Sequence, residues 1–510
     1  MDETGPPQHD EMLGDARLGD RNEPVAPFKL RDGHLATEQT IENHESLGMG
    51  QGGEQLGLSS GHPFVLDGHG SREGARGTLH SNIVILLYHA SPRAGMPDLL
   101  SAWEAPGIRA NWRQFVLLTV TVFWVGSVIG IERVTVPLLG AERFHLEQYL
   151  VLLSFVASFG FVKAFLNLVA GRAADRWGRR PVLVAGWLVA LPVPFLLTFA
   201  PNWGWVVVAN ALVGVNQGFA WSMSVTSQID LAGPAARGFA VGINEAGGYA
   251  GVTVGGIAGA ILAGPYIATY PFELLLAIVV VALVVAFVLV KETRGFAHRE
   301  NLLADPAGAL ATTGPARTSF GKASWGDRRL LACHQAGLVE KFVDTVAWGL
   351  FPLFFVARGV AIPTVGALVG TYTGVWAVLQ LATGHLSDRV GRRIPIALGM
   401  EVAGAGVALV ALTGSLLGWL LGALVAGVGM ALLYPNLVAA VADVASPVER
   451  GSVLGVYRFW RDSGYGFGAI AAGLVADAFG VVDAFLVVAL LMAASGTVVA
   501  SLYRDSPSRS

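Results

Sequence analysis

Gly171-Arg172-Ala173-Ala174-Asp175-Arg176-Trp177-Gly178-Arg179-Arg180 recurs 213 residues later as Gly384-His385-Leu386-Ser387-Asp388-Arg389-Val390-Gly391-Arg392-Arg393. The same offset then runs on without a gap. It pairs Asp230 with Asp443, Pro234 with Pro447, Arg237 with Arg450, Gly238 with Gly451, Gly242 with Gly455, Gly251 with Gly464 and Gly255 with Gly468. A register sustained over that length marks an internal duplication, so the unit around the first copy is built twice. Within each copy Asp175 and Arg179, or Asp388 and Arg392, stand one helical turn apart, and the arginines suit an anionic leaflet. Gly171 and Gly384 are positions where two helices can approach closely.

Outward from the two copies the chain is apolar in runs long enough to cross about 30 Å of hydrocarbon. The runs lie near 115–139, 149–170, 181–200, 205–229, 238–263, 271–290, 335–357, 364–383, 394–413, 416–443, 451–476 and 481–503. This predicts an all-α membrane protein of twelve transmembrane helices in two six-helix pseudo-repeats. The expected divisions are a polar tail at 1–110, a first bundle at 111–290, a linker at 291–334, a second bundle at 335–504 and a short end at 505–510. Basic residues gather in alternate loops, with only Arg143 and Arg358 in the others. Both termini and the linker are therefore expected on the cytoplasmic side of the cell membrane.

The pattern Gly-x-x-x-Asp-Arg-x-Gly-Arg-Arg after the second helix and again after the eighth resembles the signature loop of the major facilitator superfamily, over roughly residues 110 to 505. The resemblance implies two bundles rocking about a midplane site by alternating access. It implies that Gly171, Asp175, Arg176, Gly178, Arg179 and Arg180, with Gly384, Asp388, Arg389, Gly391, Arg392 and Arg393, form a charge network that steadies one gating state, with Asp230 and Asp443 as partners. The fifth helix carries Gly247-x-x-x-Gly251-Val252-x-x-Gly255-Gly256, similar to the glycine motif of the superfamily's antiporters. The family places proline where this chain has Val252, which puts the associated kink in question, and such spacing also serves plain packing. Gln217-Gly218 in the fourth helix lacks the arginine of drug/proton antiporters, Gly214 standing in its place, so their arginine-assisted relay does not carry over.

Charges inside the expected helices are the candidates for function, because each costs several kcal/mol at the bilayer centre unless paired or wetted. They are Glu132, Glu245, Glu340, Asp344 and Asp462 against Arg133, Lys163, Lys341, Arg458 and Arg461. Glu340 and Asp344 share one helical face, as do Arg458, Arg461 and Asp462, while Asn244 and Glu245 lie a third of the way along the fifth helix. Glu132 and Arg133 either belong to the cavity or snorkel from the end of a first helix that stops near Ile131. Lys163 is read as neutralising a neighbour. Forked guanidinium donors favour a small substrate with an anionic or strongly polar group. Glu245, Glu340 and Asp344 are candidates to carry a proton as coupling ion.

Composition narrows the rest. Fifty-three per cent hydrophobic and 14% charged residues, with mean hydropathy +0.55, describe a membrane chain. Residues 1–110 hold sixteen acids against eight bases, leaving 21 acids and 26 bases beyond. No basic stripe with interleaved aromatics suggests nucleic acid. The single Cys333 offers neither a disulfide nor a metal site, and the tail's seven histidines lack ligand spacing. Gly48-Met49-Gly50-Gln51-Gly52-Gly53 mimics a dinucleotide fingerprint, but no strand precedes it. No phosphate-binding loop for ATP is present, so a gradient drives the expected transport. The tail reads as mostly disordered, with no secretory signal. The gene's arginine and glycine bias, 29 Arg to five Lys, suggests translation from Met96. The expected protein is a monomeric, cofactor-free secondary transporter, coupled to protons and exporting a small solute. The alternatives are a proton-coupled importer of a polar nutrient and a non-transporting sensor or scaffold with the same fold.

Overall fold

The computed structural model describes residues 107–304, 319–445 and 450–505. The expectations for the tail before residue 107, with its glycine pattern, histidines and Met96, lie outside the described residues, as does 305–318 of the linker. The described residues are helical and contain no strand.

Each expected apolar run has its helix. The first to sixth are Trp112–Glu142, Tyr149–Trp177, Arg179–Phe199, Trp203–Ala232, Arg237–Ala263 and Tyr270–Val288. The seventh is Arg328–Gly349 continued by Phe351–Val356, and the eighth to twelfth are Ile362–Val390, Arg393–Leu412, Leu416–Val444, Arg450–Phe479 and Val481–Leu502. Among the described residues, ten of these are long and apolar enough to cross a membrane. The seventh and eleventh are the two with the densest internal charge, Glu340, Lys341 and Asp344 in one and Arg458, Arg461, Asp462 and Asp477 in the other.

Two helix ends bear on the expected boundaries. The first helix does not stop near Ile131. It runs on through Pro137 to Glu142, and Glu132 and Arg133 are 0% and 1% exposed, so neither snorkels. The expected linker, 291–334, is helical in part. It contains the helix Arg294–Ala304 and the short helix Phe320–Trp325, and the seventh helix begins at Arg328 because the Asp327 carboxylate accepts the Arg329 amide at 2.7 Å.

Small residues set the tightest packing. A Cβ on Gly126, Gly130, Gly251 or Gly255 would run into backbone of the facing helix, so the first and fifth helices touch main chain to main chain. The fifth helix passes Val252 unbroken. The halves meet where the second helix packs on the eleventh, the fifth on the eighth and the first on the seventh. Their contact is uneven. At the end away from the arginine loops, Asp477 of the eleventh helix accepts the amides of Tyr149 and Leu150 at 2.6 and 3.0 Å, and Gly473 lies against Leu150. Toward the arginine-loop end, Asn167 donates to the Arg458 carbonyl at 3.4 Å, and beyond it Gly171, Gly451 and Gly455 have, among the described residues, no neighbour within 4 Å of a Cβ position. The close helix approach expected at Gly171 and Gly384 is absent, since both face open space. Contact between the halves is tight at one end and thins toward the other, where a Cβ on Gly242 would still lie 3.9 Å from Leu381.

Candidate functional site

The fourth helix loosens into a π-helical turn over Gln217–Trp221, which turns Gln217 onto the first helix, its amide donating to the Val125 carbonyl at 2.8 Å. That turn forms one wall of a central cavity. Five cations line it, Arg133, Lys163, Lys341, Arg458 and Arg461, against two carboxylates, Glu245 and Asp462. The free space is about 20 Å³, room for roughly one water.

The polar links through this cavity cross between the halves. Arg133 of the first helix pairs with Asp344 of the seventh at 2.7 Å. Asp344 also accepts from the hydroxyls of Tyr465 at 2.6 Å and Tyr372 at 3.3 Å, and lies 3.5 Å from the Lys341 ammonium. Asp462 of the eleventh helix takes Arg461 on both oxygens, at 2.7 and 3.1 Å, while Asn167 and Lys163 of the second helix approach it at 2.7 and 3.7 Å. Each buried carboxylate so surrounded has its desolvation offset by several donors, as a buried ion pair requires.

Glu245 differs. Its two oxygens accept from Trp221 Nε1 at 3.1 Å and from the Tyr434 hydroxyl at 3.0 Å, both neutral donors, and Arg461 reaches it only through that hydroxyl, 3.0 Å away. Aromatic rings wall the cations. Lys163 sits 5.5 to 5.7 Å from the centroids of Phe159, Trp221 and Tyr465, and Lys341 sits 4.9 to 5.4 Å from Tyr434, Trp376 and Tyr465.

The expected site residues therefore sort by position. Arg133, Gln217, Glu245, Arg458, Arg461 and Asp462 line the cavity, and Asp344 stands directly behind it on Arg133 and Lys341. Glu340 is one layer back, 3.3 Å from Lys341. Asn244 and Glu132 do not line the cavity. Both are fully buried, and among the described residues their side-chain oxygens have no hydrogen-bond partner. Tyr434, Trp221, Tyr249 and Asn167 escape sequence reasoning, because single aromatic and amide residues in apolar helices carry no spacing signal.

At the two loops the duplication repeats the same ion pairs. Arg179 bridges Asp175 and Asp230, each at 3.2 Å, and Arg392 bridges Asp388 at 2.7 Å and Asp443 at 3.1 Å. Burial lowers the affinity of Arg392 for its proton, but the hydrogen bonds to Asp443 and Asp388 outweigh it and hold the guanidinium above its ordinary value. Arg180 donates to the Phe287 carbonyl and Arg393 to that of Ala500. Two further residues complete the pattern. Glu292 accepts the amides of Arg179 and Arg180 at 2.9 and 3.1 Å, and Asp505 accepts those of Arg392 and Arg393 at 2.6 and 3.2 Å. The pairs 292/505 and 287/500 share the 213-residue offset, so extending the repeat past the sixth and twelfth helices would have found them. Gly178 and Gly391 are required here, with φ of +100° and +85° and a Cβ site filled by the capping carboxylate. Arg176 and Arg389 are exposed at the helix ends. These ion pairs lie within one half each and none spans the two.

The sequence model of the Major Facilitator Superfamily matches residues 122–357 and 335–510. An uncharacterised MFS-type transporter of Salmonella typhimurium is 24% identical over 404 residues, 76% of this chain and 96% of that protein. The fosmidomycin resistance protein of Escherichia coli is 27% identical over 188 residues, 37% of this chain and 44% of that one. The crystal structure of the human organic anion transporter MFSD10 superposes with a TM-score of 0.54 at 19% identity, covering 75% of this chain and 99% of that one, a likeness of fold. The duplicated loop, the two joined bundles and the match over most of the chain make this a membrane transporter belonging to the Major Facilitator Superfamily.

Proposed function

We propose that the protein is a proton-coupled secondary transporter that exports a small anionic solute across the cell membrane by alternating access, as a monomer with both termini cytoplasmic. The observation that carries the reading is the set of charged links crossing between the halves at the central cavity, Arg133 to Asp344 and Lys163 to Asp462. Rocking must break them, so a substrate or proton that replaces one partner is linked to the motion. Five cations against two lining carboxylates favour an anionic group, and the aromatic walls suit an apolar body. The site has to widen, since its free space holds only about one water.

Glu245 is the proposed proton carrier. Neutral donors hold it, so its proton can come and go without stranding a buried cation. Export is supported by the glycine-rich fifth helix and by the relative whose name is a resistance protein. With the arginine loops cytoplasmic, the open end of this structure faces inward.

Reconstituted vesicles with an imposed pH gradient test the reading. Substrate efflux from the arginine-loop side that acidifies it in exchange for protons is expected. Solute and proton moving together identify the importer instead, and a panel of anions that moves none, with intact binding, identifies the sensor.

A further inference from the structure

Beside the first loop network lies a second cavity, of about 640 Å³, distinct from the central one. Gln114 at the start of the first helix and Leu231 at the end of the fourth form one side, and the residues entering the helix Arg294–Ala304 form the other. From that segment Lys291, Arg294, His298 and Arg299 line the space. The only carboxylate in the lining among the described residues, Glu292, is already committed to the backbone amides of Arg179, Arg180, Thr293 and Arg294. Among the described residues the lining thus carries four basic side chains to one carboxylate, with Arg294 also donating to the Arg176 carbonyl at 3.4 Å, and the eleven-residue linker helix turns its positive end toward the cavity. Forked guanidinium groups beside an imidazole and an ammonium match a tetrahedral oxyanion, and the volume suits a ligand larger than a single ion. At the repeat offset Lys291 is matched by Arg504 but Arg294 by Pro507, so the Arg294 fork is not a by-product of the duplication.

We propose that this cavity binds a phosphate monoester or diester anion, supplied as a lipid headgroup or as a soluble phosphate. The walls connect it to the gate. Thr293 donates to Asp230 at 3.0 Å, and Glu292 holds the amides of the two loop arginines, so an anion seated here bears on the same network that braces the first half.

The test uses full-length protein in nanodiscs and follows thermal unfolding. Inorganic phosphate is titrated against chloride at equal ionic strength in phosphatidylcholine discs, and discs with 30% phosphatidylglycerol are compared without phosphate. A rise in midpoint with either source is expected. The double variant Arg294→Gln/His298→Gln is expected to lose most of that rise, or to need about ten times more phosphate. Arg328→Gln, an exposed arginine at the same end, keeps it. Arg294→Lys, which retains the charge without the fork and is the milder change, falls between. Stabilisation by phosphate alone assigns a soluble ligand, and by phosphatidylglycerol alone a headgroup. No rise with either source, or an equal rise in the wild type and both Arg294 variants, overturns the proposal.

Discussion

At the scale of single residues, the structure separates two arginines that sequence treats alike. Arg461 is clamped to both oxygens of Asp462, whereas half-buried Arg458 lines the cavity with no ion pair among the described residues. Arg458→Ala is expected to weaken substrate binding about tenfold with an unchanged unfolding midpoint. Arg461→Ala strips the main partner from a buried carboxylate, a loss of about 3–5 kcal/mol for buried pairs, and should lower both affinity and midpoint. Titration of binding alongside thermal unfolding checks the split, and equal midpoint losses would contradict it. Glu245→Gln is expected to abolish proton-linked flux while leaving substrate exchange at zero gradient intact, because the amide keeps the side chain's size, its oxygen can accept from Trp221, and its N–H can donate to the Tyr434 hydroxyl oxygen. If linked flux persists in Glu245→Gln and disappears in Asp344→Asn, the seventh helix carries the proton. The charged half of this site was legible because a charge in a 20-residue apolar run is conspicuous. Tyr434 and Trp221 were not, since aromatic residues are ordinary in membrane helices and only the fold brings them to Glu245.

At the scale of elements, the loops show how one repeat yields one local structure twice. The second helix must end at Gly178 and the eighth at Gly391, because their positive φ swings the chain so that the next two amides meet a carboxylate from beyond the sixth or twelfth helix. Gly178→Ala forces a side chain into that conformation, at about 1–2 kcal/mol, and into the Glu292 carboxylate as well. A lower unfolding midpoint and slower transport are expected from Gly178→Ala. Glu292→Gln should be milder, keeping an acceptor but losing its charge. Assays at matched membrane abundance check the order, and a wild-type midpoint in Gly178→Ala would sink the account. Helix order was readable from the apolar runs, although only ten of the described helices are apolar and long enough to cross a membrane on that measure. The ends were not: the second and eighth helices run past their apolar stretches to Trp177 and Val390, since a helix in water tolerates Arg and Asp that a hydropathy reading takes as loop. The linker helix was missed for the same reason.

At the scale of the whole molecule, sequence could state that two like bundles exist but not how they lean, because the tilt depends on contacts between residues hundreds of positions apart. In this structure the lean is held at the end away from the arginine loops, where Asp477 of one half caps the second helix of the other. The offset pairs Asp477 with Gly264, so the fifth and eighth helices have no matching carboxylate and the latch is one-sided. The cap adds two hydrogen bonds to a charged acceptor, each worth roughly 1.5–3 kcal/mol when shielded and less at this exposed position. Losing even about 1.4 kcal/mol changes the open-to-closed ratio tenfold. Asp477→Ala is therefore expected to populate a state open at this end. Spin labels placed through Glu147→Cys and Phe479→Cys, in a Cys333→Ser background, should show a longer distance population that grows on adding Asp477→Ala. Labels through Arg172→Cys and Gly451→Cys at the arginine-loop end should move closer in the same variant, because rigid halves that part at one end approach at the other. Lengthening at the first pair without shortening at the second would mean local fraying of the second helix rather than rocking, and no change at either would remove Asp477 from the gate.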